Sequence, residues 1–224
     1  MTVIIQAVDR RAVLQRRIRW IVAGTIAYNA VEAAVAISAG AAASSAALIG
    51  FGLDSVVEVL SAAAVAWQFT RKEPEKYEKQ TLRVIAVAFF ALAAYVTGSS
   101  ILSIATGTEV RHSTLGIVLT ALSLVIMPAL SLAERRAGRE IGSATAVADS
   151  KQTLLCAWLS AAVLAGLVLN SLFGWTWADA VAGLAIAVFA VREGIEAWKG
   201  DACATSVGML LEDGHGESHS GDCC

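Results

Sequence analysis

Asp54 and Glu58 stand four residues apart inside a stretch that is otherwise almost free of charge. On a helix they fall one turn apart on the same face. Two carboxylates so placed repel each other unless a cation or a proton sits between them. Each ionisable group inside a membrane span costs about 2.5–3.5 kcal/mol on insertion scales, which points to function. A hard or borderline divalent cation is the natural partner. The bland alternative is that both acids are hydrogen-bonded to neighbouring helices and one stays protonated. Asn29 and Glu32, three apart on another apolar stretch, also share a face. They either complete the same site or hold helices together by hydrogen bonds. Asp149, Gln152 and Cys156 follow at offsets of three and four and share a third face. A thiolate and an amide carbonyl are possible ligands of a borderline metal, and a free Cys is equally a small buried hydrophobe. Asp179 opens a further apolar run, as a helix cap or a fourth buried acid. The last residues bring together His215, His219, Cys223 and Cys224 among acids. They read either as a metal-collecting tract or as an ordinary solvated tail. No catalytic constellation stands out, and no enzyme is expected.

The elements that must carry these residues follow from composition. The 224 residues are 57% hydrophobic and 16% charged, against about a quarter charged in an average soluble domain. This excludes a disordered chain, a disulfide scaffold and a nucleic-acid binder. The apolar residues form runs long enough to cross a hydrocarbon core of about 30 Å. Six spans are predicted, at about Ile18–Ser38, Ser44–Phe69, Val84–Ala105, Ser113–Ala133, Thr153–Leu172 and Ala178–Trp198. In lipid such runs must be helices, so an all-α membrane protein with six transmembrane helices is expected. Asp54 then lies about 15 Å deep. The fifth span has two possible registers. Counted from Thr153, Cys156 is shallow; counted from near Ser143, it reaches the depth of Glu58.

Sixteen of the 17 basic residues lie before or at the start of span one, between spans two and three, between four and five, or near the end of span six. Only Arg111 lies on the other side. Positive residues favour the cytoplasm, so both termini are expected there. Trp20, Trp67 and Trp198 fall near the inner interface, and Trp175 and Trp177 near the outer one. The first apolar run is too long, and too interrupted by Asn29 and Glu32, for a cleaved signal core. The expected organisation is a cytoplasmic segment 1–17, a membrane domain 18–198 and a flexible cytoplasmic tail 199–224 in a multi-pass protein of the cell membrane. Cytosolic placement keeps the tail thiols reduced.

The joint pattern resembles the cation diffusion facilitator family of divalent-metal exporters. Span two reads Ser44-Ser45-Ala-Ala-Leu-Ile-Gly-Phe-Gly-Leu-Asp54-Ser55-Val-Val-Glu58, like that family's second helix. Span five carries Ala148-Asp149-xx-Gln152-xxx-Cys156, where the family usually shows AD-xx-H-xxx-D, and span six opens Trp177-Ala178-Asp179-Ala180. The resemblance covers roughly residues 15–198 and favours the earlier start of span five. It implies that Asp54, Glu58, Gln152 and Cys156 occupy the family's four metal-ligand positions. Both helix-five ligands are changed, and Glu32 could compensate for the lost charge. The family usually carries a folded cytoplasmic C-terminal domain, for which 199–224 is too short, so a divergent member is expected.

The function expected is efflux of a divalent cation, exchanged for protons by alternating access. Zinc comes first; Co2+, Ni2+, Cd2+, Fe2+ and Mn2+ are compatible. Beyond the transported ion no cofactor is expected. Faces rich in Ala, Gly and Ser permit close helix packing, and a homodimer is expected. Two other readings stay open: a proton-coupled organic-cation or drug antiporter with Tyr28, Phe51 and Trp158 lining its cavity, and a non-transporting metal sensor or scaffold working through its tail.

Overall fold

Backbone groups in hydrocarbon have no water to bond, so each apolar run closes its own hydrogen bonds as a helix. The computed structural model describes residues 2–69, 75–141 and 144–199. It consists of α1 (Thr2–Ala43), α2 (Ala46–Phe69), α3 (Glu75–Thr106), α4 (Thr114–Ile141), α5 (Ala144–Phe173) and α6 (Thr176–Lys199). The predicted tail, with His215, His219, Cys223 and Cys224, lies outside the described residues, as do the side chains of Asp149 and Gln152.

The distribution of side chains is inverted relative to a water-soluble bundle. Large apolar groups face outward: Val125, Leu172, Trp158 and Val188 are more than half exposed. The interior combines Ala, Ser and Thr with larger groups such as Leu48, Phe51 and Ile186, and it also holds the acids Glu32, Asp54 and Asp179. Such a surface is stable only against lipid. Five helices contain apolar stretches of crossing length: Ala23–Ala43, Ala46–Ala64, Lys79–Thr106, Thr114–Ala137 and Thr153–Phe173. α6 has no uninterrupted stretch of that kind because it carries Asp179 in its first turn and Arg192, Glu193 and Glu196 toward its end. Its 24 residues nevertheless reach about 36 Å, and it packs against α2, α3 and α5. The protein is a multi-pass, all-α membrane protein.

One end of the bundle is tied together by short connections. Ser44 takes a left-handed φ of 58°, and the amides of Ser44 and Ser45 bond back to Ala41 O (3.4 Å) and Gly40 O (3.0 Å). This double bond pattern closes α1. Ser45 then caps α2, its Oγ accepting from Leu48 N at 3.0 Å. The α3–α4 connection is pinned on both sides: Arg111 N donates to Ala43 O at 2.8 Å, and Asn170 Nδ2 donates to Val110 O at 2.8 Å. Trp175 and Trp177 stack at this end with centroids 5.5 Å apart. At the opposite end, Trp67 meets Tyr77 edge-on and Arg83 lies 5.9 Å from the centre of the Trp198 ring. Aromatic groups therefore bracket the bundle at both expected interfaces.

α1 and α2 run antiparallel at close range. A Cβ on Gly40 would come within 2.7 Å of Ile49 N, and one on Gly52 within 2.9 Å of Ile37 N. Glycine at these two points lets the backbones approach, and the polar side chains between them then meet directly.

Candidate metal centre

The close α1–α2 packing sets a register in which each step along α1 is matched by an equal step back along α2. Asn29 faces Glu58, and Glu32 faces Ser55. α5 begins at Ala144, the earlier of the two registers considered, so Cys156 sits about 18 Å into its helix. That depth brings its thiol to Glu58, to which it donates a hydrogen bond.

Asp54, Glu58 and Cys156 each offer a ligand atom, and these atoms all lie within 4.8 Å of one another. Asp54 and Cys156 are buried at 4% and 7% exposure. A zinc ion held at 2.0–2.3 Å by tetrahedral ligands keeps them about 3.5 Å apart. The three groups therefore need only a small inward movement to share one ion. Asn29 Nδ2 donates to the second oxygen of Glu58, which orients that carboxylate. The Asn29 Oδ1 is buried and meets no donor among the described residues.

Glu32 does not join this group. Ser55 Oγ donates to one of its oxygens at 2.9 Å, and Ser123 of α4 donates to the other. Tyr28 Oη shares a 2.6 Å hydrogen bond with Ser123. The result is a second polar cluster joining α1, α2 and α4. Neither Ser123 nor the role of Ser55 was visible in the sequence, where isolated hydroxyls in apolar runs carry no distinguishing signal.

Asp179 is fully buried, but it caps another helix and not its own. Its oxygens accept from Ser45 Oγ and from Ala47 N at 3.3 Å, both at the start of α2. The α2 N-terminus thereby offsets part of the cost of burying it. A further acid, Glu193 of α6, not singled out by any motif, is half-buried and bears electrostatically on Asp54. Its signal was its register on α6, about four turns after Asp179. Of the aromatics expected to line an organic-cation cavity, Phe51 is buried while Trp158 is 70% exposed and faces outward.

The six described helices, five of them of crossing length, enclose a carboxylate–carboxylate–thiol cluster of a kind that could hold a metal ion. The cation efflux transmembrane domain matches residues 22–199, and the chain belongs to that family. It is also 34% identical over 110 residues to the cation-efflux pump FieF of Shewanella oneidensis. That match covers 46% of this chain and 37% of the relative, so the chain spans little more than a third of the curated relative it matches.

Proposed function

We propose that this protein is a divalent metal cation efflux carrier whose ion binds between α2 and α5. The observation that supports it most is the convergence of Asp54, Glu58 and Cys156 ligand atoms within 4.8 Å. Asp54 and Glu58 supply hard oxygen ligands, and Cys156 supplies a softer sulfur. Asn29 supports Glu58, and Gln152, one turn before Cys156 on α5, completes the set as the resemblance implies. A sulfur among oxygens favours a borderline ion, so zinc is the first choice, with cadmium, cobalt, nickel, iron and manganese behind it. The ion would be taken from the basic end of the bundle, expected to be cytoplasmic, and released at the opposite end, with protons moving the other way. The outward-facing Trp158 weighs against an organic-cation cavity. The protein would work as a homodimer in the cell membrane, which crosslinking in native membranes tests.

The transport experiment uses inverted membrane vesicles loaded with a zinc-sensitive dye. Wild-type protein should drive zinc uptake that collapses in Asp54→Ala. Equal rates in the two would remove the site assignment.

A further inference from the structure

We propose that Glu32 is a proton-binding site separate from the metal ligands, one that gives up its proton when a divalent cation binds among Asp54, Glu58 and Cys156. The proposal rests on the metal-carrier reading and extends it to where a coupled proton is held.

Glu32 is 2% exposed, and its direct partners are hydroxyls: Ser55, Ser123 and, through Ser123, Tyr28. None of these is a metal ligand. A hydroxyl both donates and accepts. The two serines can therefore donate to a carboxylate or accept from a carboxylic acid without any helix moving. A buried carboxylate with no compensating cation is costly. Among the described residues, the titratable groups on which a charged Glu32 bears are Tyr28 on α1, Asp54 on α2 and Cys156 on α5. Glu58 lies one turn from Ser55 on the α2 face that α1 covers. From α4 the group that faces it is the neutral Ser123. All of these are neutral or acidic, so with no ion bound only the hydroxyl hydrogen bonds offset the cost of burying a charged Glu32, and a proton is the cation that would relieve it.

A divalent ion reverses this. It places two positive charges beside Asp54, which directly precedes Ser55 on α2, and the field at Glu32 changes sign. The other route between the clusters is packing: Tyr28 lies against the cluster of Met127, Cys156 and Ala157. The proton on Glu32 and the ion at the metal centre are thus alternative cations in neighbouring clusters of one low-dielectric interior, and each lowers the affinity for the other by the same factor. Glu32 is charged and hydrogen-bonded by its serines when metal is bound, and neutral when it is not.

The test is a Zn2+ titration of the purified full-length chain in detergent, counting protons released per ion with a pH indicator in weak buffer. Glu32→Gln keeps the shape and the serine contacts. It should still bind Zn2+ while releasing about one proton fewer per ion than wild type. Glu32→Asp should restore the release. Unchanged proton release in Glu32→Gln would overturn the proposal. So would loss of Zn2+ binding in a Glu32→Gln protein whose circular dichroism shows intact helices, because Glu32 would then be a ligand. A wild-type protein that binds no Zn2+ and no other divalent ion would fail the metal-carrier reading itself, a result distinct from either.

Discussion

Asp54 and Asp179 are both aspartates sealed inside a membrane bundle, at 4% and 0% exposure, yet their surroundings are opposite. Asp179 sits where a helix begins. It receives the Ser45 hydroxyl and the Ala47 amide, and the positive end of the α2 dipole faces it. Asp54 sits about a third of the way along the same helix, with Glu58 and Cys156 converging on it and Glu193 adding a further negative charge. One acid is satisfied by the fold. The other is left with groups that a cation would satisfy. Burial alone therefore does not mark a functional acid in lipid; what the fold supplies opposite it does.

Substitutions at the two positions should separate cleanly. The largest effect is expected for Asp54→Ala, which should abolish divalent-metal binding and transport while leaving thermal stability equal or raised, because it removes a charge the folded protein does not compensate. A large fall in melting temperature in detergent, with metal affinity retained, would place Asp54 in the structural class with Asp179. The next effect is at Asn29. Asn29→Ala leaves Glu58 without its orienting donor and should weaken metal binding by about 10–100-fold with stability little changed, measured by competition against a fluorescent chelator.

Asp179→Ala should show the converse pattern. It strips the cap from α2 and leaves Ser45 buried without its acceptor, costing about 1–3 kcal/mol. A lowered unfolding midpoint with metal affinity near wild type is the expected outcome. The smallest change is in ion preference. Cys156→Asp replaces sulfur with oxygen and should shift the order of affinities away from Cd2+ and Zn2+ toward Mn2+. An unaltered order would mean that Cys156 does not touch the ion.

Much of this organisation was legible in the residues. Lipid allows few structures, so uninterrupted apolar runs specified helices, and the Asp54/Glu58 spacing specified a shared face. The start of α5 was open because Ala144, Ala146, Val147 and Ala148 suit either a helix or an interfacial segment. The contact between Cys156 and Glu58, found only after folding, follows from the helix beginning at Ala144. Asn29 and Glu32 share a face of α1, but the rise of about 4.5 Å between them delivers one to Glu58 and the other to Ser55. That division depends on the register against α2, which is set by close approach at Gly40 and Gly52 and not by any local pattern. Asp179 reads in the sequence as a helix cap or a fourth buried acid; it is buried, and its partner is the N-terminus of a helix more than 130 residues earlier, a relation no periodicity encodes.

The central claim is that Asp54 and Glu58 bind the metal directly. Isothermal titration of purified wild type and of Asp54→Ala/Glu58→Ala with Zn2+, Cd2+, Co2+ and Mn2+ tests it most directly. Saturable binding by wild type, with Zn2+ or Cd2+ tightest and no binding in the double variant, is the predicted result. A double variant that is folded and binds with wild-type affinity would contradict the account.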